Sequence, residues 1–259
     1  MFQADLFKNK TVVVTGGGSG IGLAIAKQFL GYGAKVYIAS RKQERLDEAL
    51  VILRPLGEAD AFVLDIRKPE AVEQFAEYIK SKGDSVDILI NNAGGQFPSP
   101  AEMISPNGWN AVVNTNLNGT FYMSRQMALS FLIPQKSGII INIIANIYKG
   151  FPGMAHTGAA RAGVDNLTKT LAIEWATHKI RINAIAPGII QSSGLANYPP
   201  EMIKGISAKV PLKRLGSMDE VAYLALFLAS DMGAFITGET VYIDGGQRLW
   251  GDMWEIDEE

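Results

Sequence analysis

The chain contains no cysteine and only two histidines, His156 and His178, in 259 residues. Without thiols there can be no disulfide, no thiolate nucleophile and no cysteine metal ligand. Two histidines with no ligand cluster around them leave no zinc site. The lack of thiols fits a reducing, cytoplasmic setting. No apolar run approaches the roughly 20 residues of a membrane-spanning helix, and Met1 to Thr11 lacks the apolar stretch of a secretory signal. Charge of one sign is also missing: 24 basic and 26 acidic side chains give a formal net charge of -2. That balance offers no global field to nucleic acid or to an anionic membrane, so an anionic ligand has to be held locally. The acidic close, Trp254 to Glu259, reads as a solvated tail.

What is present is an alternation of short β-rich apolar runs with longer segments of helical period. The candidate strands are Thr11 to Thr15, Lys35 to Ala39, Ala61 to Leu64, Ile88 to Ile90, Gly138 to Ile143, Arg181 to Ala186 and Thr240 to Ile243. Between them, Ile21, Ala24, Ile25 and Phe29 mark one helix face, Val72, Phe75, Ala76 and Ile79 another, and Val164, Leu167, Leu171 and Trp175 a third. This pattern predicts one α/β domain over residues 1–259, a Rossmann-like doubly wound fold whose seven-stranded parallel sheet carries helices on both faces. Right-handed crossovers then bring the strand C-terminal ends to one edge, where ligands bind. No repeat or linker interrupts the pattern. The irregular stretch from Gln191 to Pro211 reads as a substrate lid with a short helix.

Gly16, Gly20 and Gly22 follow the first strand and open an Ala/Ile-rich helix, with Ser19 and Ile21 between them. Without side chains, such positions let backbone amides approach a pyrophosphate, and the helix N-terminus adds roughly half a positive charge. The end of the second strand indicates the nucleotide. NAD enzymes usually place an acid there for the ribose 2′-hydroxyl, whereas this chain has Ser40 and Arg41. Ser40 can hydrogen-bond a 2′-phosphate and Arg41 can grip it through its planar fork, which favours NADP(H).

The spacing of the loop resembles that of the short-chain dehydrogenase/reductase family, and further motifs agree in order along nearly the whole chain. They are Asn91-Asn92-Ala93-Gly94, Asn116 within Thr115 to Phe121, Pro187-Gly188-Ile189-Ile190, Ile236-Thr237-Gly238 and Asp244-Gly245-Gly246. The resemblance implies that Asp65 and Ile66 flank the adenine. It also implies that Asn91, Asn92, Ala93 and Gly94 line the ribose and nicotinamide edge, that Pro187 and Gly188 belong to the nicotinamide-side loop, and that Ile190 offers backbone groups to the carboxamide.

Most members of the family use an Asn, Ser, Tyr, Lys tetrad, and this chain departs from it at all but the first position. Ala145 stands at the serine, Thr157 at the tyrosine and Arg161 at the lysine. A threonine hydroxyl is far too weak an acid to replace a phenol, and an arginine holds charge without relaying protons. Arg161 can still hold the nicotinamide ribose. These departures resemble the subset that acts on fatty acyl-CoA double bonds, the peroxisomal trans-2-enoyl-CoA reductases and the 2,4-dienoyl-CoA reductases. The segments that carry this likeness are Gly94 to Glu102, Trp109, Asn116 to Met123, Gly150-Phe151-Pro152 and His156 to Gly163, with Asn118 and Tyr148 resembling the dienoyl-CoA reductases.

Double-bond reduction sends hydride to carbon and builds negative charge on the thioester oxygen, so donors to that oxygen are the requirement. Tyr148 and Asn118 are the expected pair, with Asn116 and Arg161 beside them. Tyr148 can equally be an exposed loop residue or line the acyl pocket, and Asn118 can be a helix-packing polar residue. The pocket is expected among Phe97, Phe151, Leu195, Tyr198 and Met202. The resemblance also implies a homotetramer packed through the helices around Asn118 to Phe131 and Gly158 to Thr177 and through the last strand. Two other readings stay open: a catalytically silent NADP-binding sensor or scaffold, and a carbonyl or alcohol oxidoreductase with an unusual acid.

Overall fold

The computed structural model describes residues 3–192, 195 and 205–249. Val12, Val13 and Val14 show how the sheet organises the chain. All three are fully buried, yet Val12 and Val14 join one core and Val13 the other, because successive strand side chains point to opposite faces. A strand covered on both sides has to be apolar throughout. The strands are β1 (Thr11–Thr15), β2 (Lys35–Ser40), β3 (Ala59–Val63), β4 (Ile88–Asn91), β5 (Gly138–Ile143), β6 (Ile180–Pro187) and β7 (Thr240–Ile243). They form one sheet in the order β3-β2-β1-β4-β5-β6-β7, and every pairing is parallel.

Helices α1 (Gly20–Gly31), α2 (Gln43–Leu53), α3 (Pro69–Ser81), α4 (Pro106–Val113), α5 (Gly119–Met127), α6 (Ala155–Glu174) and α7 (Met218–Ala229) cover the two faces. Helices α1, α2 and α7 pack on one core, and α3, α5 and the C-terminal half of α6 on the other. The sequence-predicted face of α3 is buried at all four positions, Val72, Phe75, Ala76 and Ile79. Helix α7 starts at a capping box in which Ser217 and Glu220 satisfy each other's backbone amides. Phe121, Leu129 and Ile173, on the helices expected to meet further copies, are exposed.

The predicted strands shift only at their ends. β3 begins at Ala59, which pairs with Val36, because the polar Asp60 accepts a hydrogen bond from Tyr78 Oη at 2.7 Å and so stays within the strand. Among the described residues no helix is long and apolar enough to cross a membrane, and no group of side chains could hold a metal ion. The sheet changes winding direction between β1 and β4, the place where doubly wound folds open a crevice at their strand ends.

Candidate active site

At that crevice β1 turns sharply into α1. Gly16 and Gly20 have φ of +67° and +56°, a region that L side chains rarely adopt. A Cβ on Gly22 would strike the Gly16 carbonyl, while one on Gly20 would meet open space. The first turn of α1 carries no acidic side chain, and its N-cap residue Ser19 makes no side-chain cap bond. The positive end of the helix is therefore not claimed by an internal carboxylate. Asn92 sets the shape of the loop: its Nδ2 donates to Thr15 O at 3.0 Å and Gly16 O at 3.3 Å. Thr15 Oγ1 in turn accepts from the amides of Asn92 and Ala93, each at 3.0 Å.

The neighbouring strand ends carry the groups that would face the adenosine. Ser40 Oγ donates to Lys42 O at 3.3 Å, and Arg41 is exposed. Asp65 is clamped by Arg67, whose Nε and Nη2 donate at 2.8 and 2.6 Å. That guanidinium, helped by the more distant charge of Arg41, holds the Asp65 carboxyl below the usual carboxylate range. Two residues expected at the nucleotide turn their side chains inward. Asn91 Nδ2 donates to Ser124 Oγ and Asn142 Oδ1, both at 2.9 Å, and Ile66 is buried where a Cβ on Gly119 would meet it. Only their backbone is left to touch a cofactor.

Between α4 and α5 the helix widens into a π-helical turn at Asn114–Asn118, an irregularity frequent at functional sites. Within it Asn116 is fully buried. Its Nδ2 donates to Gly95 O at 2.7 Å and Val112 O at 2.9 Å, and its Oδ1 accepts from Gly95 N at 3.3 Å. Asn116 thereby fixes the loop that follows β4. Asn118 instead donates to Asn114 Oδ1 at 2.8 Å.

Arg161, on α6, is 8% exposed. Its Nη1 donates to Ile143 O at 2.9 Å, while its Nε has no partner. Burial pushes its pKa down to about 10, which leaves it a cation at neutral pH. A Cβ on Gly94 would collide with Arg161 Nη2, so the glycine gives the guanidinium its room. Thr157 is fully buried, with its hydroxyl 3.2 Å from His156 Nδ1. His156 lies edge-on to Phe97 at 4.5 Å between ring centres, and burial lowers its pKa. Tyr148 is 63% exposed and meets the ring of Tyr242 edge-on at 6.2 Å.

A cavity of about 770 Å³ joins these elements. Of the residues expected at the cofactor, Ile21, Gly94, Arg161, Pro187, Gly188 and Ile190 line it. A bridge to Gly216 runs beside Ile190 but uses the amide of Gln191 and the carbonyl of Ile189. Ala145 lines the cavity where a hydroxyl was expected to be missing, and so do Phe151 and Leu195, two of the residues expected around an acyl chain. Phe97 stands between two lining residues, Gln96 and Pro98. Tyr198 and Met202, with most of the expected lid, lie outside the described residues. Tyr148, Asn116 and Asn118 are not among the lining residues, whereas Asn92, Asn146, Lys149, Gln247 and Arg248 are. Of these five, Asn92 was expected at the ribose and nicotinamide edge, and the other four were not singled out by sequence reasoning. Gln247 and Arg248 directly follow the Asp244-Gly245-Gly246 motif.

The family profile described as Enoyl-(Acyl carrier protein) reductase matches residues 16–248. The chain belongs to the short-chain dehydrogenase/reductase family. A probable 2,4-dienoyl-CoA reductase of Bacillus subtilis is 41% identical over 93% of this chain and 98% of its own. A 3-oxoacyl-[acyl-carrier-protein] reductase of Thermotoga maritima is 36% identical over 92% of this chain and 98% of its own. A crystal structure of a short chain dehydrogenase from Bacillus anthracis superposes with a TM-score of 0.89 at 42% identity, covering 95% of this chain and 98% of the other. Short-chain dehydrogenases/reductases are oxidoreductases that use a nicotinamide cofactor. The positive-φ glycine turn and the α1 terminus fit such a dinucleotide.

Proposed function

We propose that this oxidoreductase uses NADPH to reduce the carbon–carbon double bond of a fatty enoyl-CoA or 2,4-dienoyl-CoA. One observation carries the reading: among the described residues the inner cavity wall presents a buried guanidinium whose Nε has no partner and no acidic hydroxyl, with Ala145 and Arg161 lining it and Thr157 turned toward His156. Ketone reduction needs a proton at oxygen, and nothing in that wall supplies it readily. Reduction of a conjugated double bond needs a positive field at the thioester oxygen while charge develops there, and protonation at carbon can come from water. When bound, NADPH supplies the hydride.

Arg161 fits the role of that field better than the Tyr148–Asn118 pair. A donor stabilises a developing oxyanion most where water is excluded, and Arg161 is buried whereas Tyr148 is largely in solvent. Asn118 already donates to Asn114. Asn116 serves by holding the Gly94–Gly95 turn against the guanidinium. Phe151 and Leu195 offer apolar wall to an acyl chain. At the other end, Ser40 and Arg41, standing at the end of the second strand where NAD enzymes usually have an acid, favour NADPH over NADH.

The test is NADPH oxidation with trans-2-enoyl-CoA and 2,4-dienoyl-CoA thioesters over a range of chain lengths. Turnover of either class is the expected result. Reduction of ketones alone, or tight NADPH binding with no turnover of any thioester, overturns the reading.

A further inference from the structure

Lys149 and Arg248 line the cavity at its outer end, from two loops that the fold ties together. The knot is Asp244, whose carboxylate accepts from Asn146 Nδ2 at 3.0 Å, Gly246 N at 3.0 Å and Arg248 N at 2.8 Å. Arg248 Nη1 approaches the same carboxylate at 3.6 Å. The Arg248 guanidinium lies over the Tyr242 ring, 4.4 Å from its centre, and Tyr242 in turn holds the ring of Tyr148 edge-on. Tyr148 is left 63% exposed, so the outer face of its ring is open to a flat partner. An aromatic ring held by its neighbour thus stands beside two cations on the rim of a reactive cavity.

We infer that this rim, Tyr148 with Lys149 and Arg248, is the subsite for the 3′-phospho-ADP end of coenzyme A, the base stacking on Tyr148 and the phosphates meeting the two cations. The inference rests on the thioester reading above and names the carrier of the acyl group. An exposed aromatic ring is what a purine face needs, and paired cations are what phosphates need. A protein-borne phosphopantetheine has the phosphate without the base, so the tyrosine selects the free nucleotide carrier. Tyr148 then acts in binding, outside the chemical step.

Calorimetry with adenosine 3′,5′-bisphosphate, on protein saturated with NADP⁺ so that the cofactor site is filled, tests the subsite without any turnover. Binding is expected, with affinity falling roughly tenfold for Tyr148→Ala and for Lys149→Gln combined with Arg248→Gln. In parallel, the ratio of kcat/KM for crotonyl-CoA to that for crotonyl-pantetheine should fall about tenfold in the same variants. No binding, or binding indifferent to all three substitutions, overturns the subsite. So does crotonyl-CoA turning over no better than crotonyl-pantetheine, or a preference for crotonyl-acyl carrier protein that the variants abolish. If the bisphosphate binds and the variants weaken it while no thioester is reduced, the reaction is misassigned and the subsite stands.

Discussion

The two ends of the site are built on different terms. At the nucleotide end, polar side chains are spent on one another: Asn92 on the glycine loop, Thr15 on Asn92 and Ala93, and Arg67 on Asp65. At the reaction end, two side-chain atoms on α6, Arg161 Nε and His156 Nε2, are buried with no partner. A third such atom among the described residues, Asn91 Oδ1, sits at the end of β4 between the two regions. Leaving a buried polar atom unsatisfied costs about 1–3 kcal/mol, and more for a charged group. The first region, the frame, therefore keeps its side chains paired and leaves only the uncapped α1 terminus open, whereas the second leaves a side-chain cation, Arg161, partly unsatisfied at the cavity wall.

That contrast breaks most visibly at Arg161. Replacing it by methionine removes a buried charge that has no carboxylate partner among its hydrogen bonds, so the fold should not suffer. The enolate should lose its counter-charge. The expected result is a fall in kcat/KM on the order of 100- to 1000-fold, with NADPH affinity changed far less, read from steady-state rates beside a cofactor titration. A variant that keeps its rate within tenfold removes Arg161 from the chemistry and returns the role to another donor.

The difference between the regions also explains what was legible in the sequence. The frame was, because its rules are local. Fully apolar strands, glycines where φ is positive and the missing acid after Ala39 can each be read a few residues at a time, and the predicted strands agree with the sheet apart from their ends. At the reaction end the residue types were legible and their directions were not. Tyr148 is in the expected loop, but its ring lies against Tyr242, nearly a hundred positions further on. Asn118 and Asn116 occupy one π-helical turn, and that irregular turn decides which of them faces the Gly95 loop. Lys149 and Arg248 line the same cavity from loops that Asp244 and Tyr242 tie together, long-range contacts with no local signature.

A smaller effect tests the frame. If Ser40 and Arg41 read a 2′-phosphate, Arg41→Ala should lower the ratio of NADPH to NADH turnover efficiency by about tenfold or more, the worth of one charge-assisted hydrogen bond. Adding Ser40→Asp should push the ratio further in the same direction, since a carboxylate repels the phosphate and accepts from a ribose hydroxyl. Competition between the two cofactors in one assay measures the ratio directly. A ratio that does not move would place the selecting groups elsewhere.

The smallest effect expected is one of pH, and it belongs to the reaction end. His156 is fully buried and its pKa is held down by that burial, while in the unfolded chain it titrates near 6.5. Between the depressed folded value and about 6.5 the unfolded chain binds a proton that the folded chain refuses, so stability rises with pH through that window and is lost as pH falls through it. Carboxylates held low by partners, such as Asp65 beside Arg67, lose their contribution only further down, below their own unfolded value near 4. The two windows are separable. The melting temperature should therefore begin to drop on acidification from pH 7 toward 5, by a few degrees at most. His156→Asn, whose side-chain oxygen can still accept from the Thr157 amide as Nδ1 does at 2.8 Å, should flatten that early slope and leave the later one. An unchanged slope in the variant would mean that the α6 terminus tolerates a charged His156, and the edge contact with Phe97 would then be a poor barrier to water.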